Sequence, residues 1–230
     1  MGPVNVGSSI IAFKYKDGVM FAADTAISYG GMDKIKDARR MTQIGEETII
    51  ASSGEQADYQ NLIKDLQKKQ EEDEIENDGA QFLHPREYWN WISRIQYQRR
   101  CKNDPLWIST VVGGINKKKN EVFLGTSDFH GMKLEQDFVL TGLSLYMCQV
   151  LVQNSWKPDM TYEEGVKLIE QCMRILFIRD KKAHDMIQIS TITHEHGVKL
   201  GEPFRIDGSV DLSAFYNRTN EFFRPMRIRY

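Results

Sequence analysis

The sequence predicts an α+β fold in four layers, αββα, with two antiparallel sheets face to face and helices on both outer faces. Three observations lead there. Strand-like segments come in three blocks separated by two helix pairs, an order no single βαβ series can produce. The first two strands are joined by a link of three residues, Lys16-Asp17-Gly18, too short for anything but a hairpin. The helices carry an apolar stripe on one face only, so each needs a sheet to cover.

Residues 9–15 and 18–23 are rich in Ile, Val and Phe and read as the first strand pair. Residues 47–52 are a further strand ending at Gly54. A helix follows from about Glu55, with Ala57, Leu62, Ile63 and Leu66 on one side. The run Lys68-Lys69-Gln70-Glu71-Glu72-Asp73-Glu74 then reads as a solvated loop between helices. Pro85 suits a helix start, and Tyr88, Trp91, Ile92 and Ile95 follow at helical spacing. Residues 107–115 and 120–127 form the second strand pair, and a third helix spans roughly 142–154. Thr161 and Glu164 make a capping box for a fourth helix, lined by Val166, Ile169, Cys172, Met173 and Leu176. Strands return at 186–193 and 197–200. No internal repeat or linker divides the chain.

The chain has 230 residues, enough for one large domain to bury a core without staples. Its net charge of -2 gives no electrostatic footprint for nucleic acid or an anionic membrane. No apolar run approaches a membrane span. Cys101, Cys148 and Cys172 are widely spaced, without a CxxC; Cys148 and Cys172 fall on apolar stretches and read as reduced core thiols, which suits the cytoplasm and nucleus. His194-Glu195-His196 lies in a turn without further ligands, so no metal is expected, and no phosphate-binding glycine loop follows a strand, so no cofactor is expected. The last segment, 203–230, has no clear period. Its Phe222, Phe223, Arg224, Pro225 and Met226 predict docking on a partner, because exposed paired aromatics are costly.

The opening carries the chemistry. Ser8 puts a hydroxyl straight after Gly7 at the head of a strand, and the hairpin brings the Asp24 carboxylate back beside it. An N-terminal nucleophile hydrolase builds its site this way: cleavage before a Thr, Ser or Cys frees an amine that serves as base for the neighbouring side chain. The chain resembles the proteasome β-subunit family. Six blocks in order carry the resemblance: Gly18-Val19-Met20-Phe21-Ala22-Ala23-Asp24, Arg39-Arg40-Met41, Ala51-Ser52-Ser53-Gly54, Leu124-Gly125-Thr126-Ser127-Asp128-Phe129-His130-Gly131, Thr141-Gly142 and Arg179-Asp180. Further segments, among them Tyr97-Gln98-Arg99-Arg100 and Asn103-Asp104-Pro105-Leu106-Trp107, resemble the type at the β7 position, also called β type 4. The resemblance implies a short extension over 1–7, a β-type domain over 8–202 and a C-terminal extension over 203–230. It also implies assembly with other α and β subunits in a stacked four-ring particle, the 20S core that degrades proteins.

In active members of that family a terminal Thr is the nucleophile, a lysine tunes it and an aspartate holds the lysine. Here Ser8 stands for the Thr, Asp24 is kept and Arg40 replaces the lysine. A guanidinium is too basic to shuttle a proton near pH 7. Gly54 matches the glycine whose amide forms the oxyanion hole, Thr141 and Ala183 stand where the family has serines, and Asp180 matches its supporting aspartate. The resemblance therefore implies a degenerate, non-catalytic site with Arg40 paired to Asp24. The rival reading is an active serine/threonine-type endopeptidase that uses Ser8.

Overall fold

Residues 5–78 and 83–206 are described by a computed structural model of the chain. The opening strands are β1 (Asn5–Gly7), β2 (Ile10–Tyr15), β3 (Gly18–Asp24), β4 (Ile27–Tyr29), β5 (Met32–Ile35), β6 (Met41–Ile44) and β7 (Thr48–Glu55). Helices α1 (Gln56–Glu76) and α2 (Pro85–Cys101) precede β8 (Ile108–Asn116), β9 (Glu121–Ser127), β10 (Lys133–Glu135) and β11 (Phe138–Leu140). Helices α3 (Ser144–Met147), α4 (Gln149–Ser155) and α5 (Tyr162–Arg179) lead to β12 (Met186–Thr193), β13 (Gly197–Leu200) and β14 (Phe204–Arg205).

Every strand pairing is antiparallel. One sheet runs β10-β9-β8-β7-β1-β4-β5, with β6 also on β7; the other runs β11-β2-β3-β12-β13, with β14 also on β12. The predicted four-layer sandwich is present, and the period of two along β2 and β3 builds it. Ile10, Ala12, Val19, Phe21 and Ala23 point between the sheets, where they meet Ile49, Val111 and Leu124. Their neighbours Ile11, Phe13, Met20 and Ala22 point outward onto Leu168, Ile169, Cys172 and Leu176 of α5. On the far side, Ile50, Val112 and Phe123 receive Tyr59, Leu62, Tyr88 and Ile92 from α1 and α2. Phe21 lies so close to β8 that a Cβ on Gly113 would sit 2.6 Å from its ring.

The helix starts follow their signals. Thr161 and Glu164 close the predicted capping box, and Pro85 occupies the first turn of α2. The charge run departs from the reading as a loop. It is helical to Glu76, because Lys, Gln and Glu are good helix formers and the run supplies its own side-chain pairs. Gln70 donates to Glu74 at 2.7 Å and accepts the Gly45 amide at 2.9 Å, pinning α1 to the β6–β7 turn. The predicted third helix is two short ones, broken at Cys148, whose φ is -110. The short strands β1, β4, β5, β6, β10, β11 and β14 lack a sequence signal; all four residues of β5 are exposed. The contact residues Phe222, Phe223, Arg224, Pro225 and Met226 lie outside the described residues.

Because residue 71 is exposed, mid-helix and not in a loop, Glu71→Gly should lower unfolding free energy by about 1 kcal/mol and reduce helical circular dichroism. A loop would show neither change.

Candidate functional site

Three chain segments meet at the edge where the sheets approach each other. Ser8 sits between β1 and β2, Asp24 ends β3, and Arg40 enters β6. The hairpin geometry delivers Asp24 to the start of β2, and Ser8 Oγ donates to Asp24 Oδ1 at 2.9 Å. Arg40 Nη2 forms an ion pair with the same carboxylate oxygen. The other carboxylate oxygen accepts the His184 amide at 3.1 Å. Both members of the ion pair have no side-chain exposure.

Arg40 has a second set of partners. Its Nε donates to the Asp24 carbonyl at 3.0 Å, its Nη1 to the Ser8 carbonyl at 2.9 Å and its Nη2 to the Ser9 carbonyl at 3.1 Å. This near-saturation lets a guanidinium stay charged in the interior. The fit is close: a Cβ on Gly7 would lie 2.6 Å from Arg40 Cδ. Burial has the largest effect on the Asp24 carboxyl and pushes its pKa above the usual carboxylate range. Arg40, the Ser8 hydroxyl and the His184 amide pull it down, and the Asp180 charge adds to the rise.

The remaining expected residues fall into two groups. Gly54 and Asp180 line the same cleft as Ser8, which has a volume of about 540 Å³. Gly54 has φ +108 and pairs with Gly7 across β7 and β1, and a Cβ there would sit 2.2 Å from the Trp107 carbonyl. Asp180 is buried, and its Oδ1 accepts the Lys182 amide at 2.9 Å. Thr141 and Ala183 stand one step back. Thr141 Oγ1 accepts the Ile10 amide at 3.1 Å and so fixes the start of β2, while Ala183 donates its amide to the Asp180 carbonyl at 3.0 Å. Sequence reasoning missed Ser9, whose hydroxyl accepts the Ser144 amide at 2.9 Å, and His184, which acts through its backbone. A main-chain donor leaves no mark in side-chain identity.

Two features bear on chemistry. The cation at Asp24 is a guanidinium, which has only donors and no acceptor, so it cannot take the Ser8 proton. The strand β1 also lies between β4 and β7, with Val6 opposite Ser28 on one side and Glu55 on the other. A further extended segment has no room between those strands. Among the described residues, no cluster of His, Cys, Asp or Glu could hold a metal, and no helix is long and apolar enough to cross a membrane.

A family model described as proteasome subunit matches residues 4–192. The chain belongs to the proteasome subunit family. It is 37% identical to a proteasome subunit beta type-4 of Arabidopsis thaliana, over 94% of this chain and 87% of that protein. It is 33% identical to the beta type-4 subunit of Xenopus laevis, over 88% of this chain and 83% of that one. With a probable proteasome subunit beta type-7 of Schizosaccharomyces pombe the identity is 32%, over 90% and 79%. Within the proteasome subunit fold, Ser8, Asp24 and Arg40 therefore converge at the edge of the sandwich around one buried charge pair.

Removing one partner of that pair strands the other. Arg40→Leu should destabilise the chain by about 3–5 kcal/mol, and Asp24→Asn combined with Arg40→Leu by distinctly less than the sum of the single changes. Denaturant unfolding of the two single variants and the double variant measures this coupling, and strict additivity would contradict it.

Proposed function

We propose that this chain is a non-catalytic β subunit of the proteasome core particle, of the type called β type 4 or β7, and that its role is structural. The observation that carries the reading is the arginine at position 40: its guanidinium is occupied by Asp24 and by the carbonyls of Ser8 and Ser9. Ser8 is left with a hydrogen bond to a carboxylate and no tuned amine. The names of the relatives, beta type-4 and beta type-7, support the assignment. On this reading the subunit closes a β ring within a stack of four rings, in the cytoplasm and nucleus. The segment 203–230, with Phe222, Phe223 and Met226 as apolar anchors beside Arg224, docks on a neighbouring subunit.

Autolysis before Ser8 needs the same hydroxyl activation as catalysis, so the Gly7–Ser8 bond should survive in purified particles. Intact-mass measurement and N-terminal sequencing test this. A free α-amine on Ser8 would overturn the non-catalytic reading in favour of an active serine-type endopeptidase. Covalent inhibitors that label terminal threonines should leave this chain unlabelled, and Ser8→Ala should leave every peptidase activity of the particle unchanged.

A further inference from the structure

We propose that the cleft beside Ser8 binds the free carboxylate end of a short peptide whose last side chain is apolar, and holds it without cutting. This goes beyond the structural role proposed above, which gives the cleft no ligand. Several polar groups of the cleft are unused. Ser53 and Ser109 face each other across β7 and β8, and both line it. Trp107, Lys181 and Lys182 line it as well. Among the described residues, the two serine hydroxyls, the Trp107 indole N–H and the two ammonium groups have no hydrogen-bonding or ionic partner.

All five groups can donate, and ammonium and indole N–H can only donate. The acceptors nearby are committed or few. The Asp180 carboxylate is buried and accepts the Lys182 amide, and Asp24 is held by Arg40, Ser8 and His184. Asp33, at the exposed edge, is the other acidic residue of the lining. A cleft with an excess of unpaired donors and two free cations is complementary to an anion. Lys181 reaches across the mouth, its Nζ 3.8 Å from where a Cβ on Gly31 would stand.

The rest of the lining sets the shape of the ligand. The Trp107 and Phe129 rings stack with centroids 5.4 Å apart, and Leu143 stands on the rim, exposed to 41%. The backbone behind Trp107 is fixed, because its amide donates to Asp58 at 2.8 Å. An apolar side chain can lie on this rigid aromatic surface while the carboxylate meets the donors. The volume, about 540 Å³, holds a few residues and no folded partner. Since β1 already fills the space between β4 and β7, the peptide gains no strand pairing there, and side-chain contacts alone hold it. Ser8 faces the same cleft but lacks an activated hydroxyl, so the peptide stays whole.

The test is titration of the full chain with acetyl-Ala-Ala-Leu bearing a free carboxylate, against the same peptide as its C-terminal amide, by calorimetry. The acid should bind at least about tenfold more tightly than the amide, since charge-assisted hydrogen bonds are the strong ones. That preference should shrink at high salt and vanish in the Lys181→Ala/Lys182→Ala double variant. Trp107→Leu should weaken acid and amide alike, with the thermal transition of each variant unchanged. Equal binding of acid and amide, or binding of neither up to about 5 mM, a level that already admits weak ligands, would overturn the proposal. Cleavage of the probe, read by mass spectrometry, would also overturn it, because the peptide would then be a substrate.

Discussion

The fold turns on burying one full positive charge. Taking a guanidinium out of water costs several kcal/mol even after relaxation, and only close, complete pairing offsets this. Arg40 finds that pairing only if the end of β3, the start of β2 and the turn before β12 arrive together. Asp24 supplies the counter-charge, Ser8 and Ser9 supply carbonyls, and His184 steadies the carboxylate from behind. Gly7 must have no side chain for the guanidinium to lie where it does. The charge thus specifies where strands from both sheets stop, a task that apolar packing does loosely.

Much of this was legible in the sequence because it lies in short-range pattern. The apolar run Ile10-Ile11-Ala12-Phe13 and the tight link after Tyr15 fix a hairpin, and a hairpin with a carboxylate at its end returns Asp24 to Ser8 without knowledge of the rest of the chain. The capping box at Thr161 and the proline at 85 mark helix starts by local hydrogen bonding. The charge run shows the opposite case. Lys68 to Glu74 lacks an apolar face, so periodicity says nothing, and the helix there rests on helix-forming residue types and on contacts such as Gln70 with the Gly45 amide. The strands β4 and β5 are short, and β5 is wholly exposed, so their pairing comes from neighbours and not from composition.

The cleft was the least legible part. Trp107, Phe129, Leu143 and Lys182 come from four separate stretches, and none has a spacing relation to another. Their shared environment exists only after two sheets and three loops are in place. The supporting residues Thr141 and Ala183 show a related limit. They match family positions, yet their work is to fix backbone, with Thr141 holding the Ile10 amide and Ala183 closing the turn at Asp180.

Strand β1 has a kinetic meaning. It is a peptide segment seated between β4 and β7, and it is tied to its own seat by two residues, Ser8 and Ser9, before β2 begins. A tether that short gives the segment an effective concentration in the millimolar range or above. A diffusing chain that sought the same seat would compete against an occupant that is never diluted and never leaves.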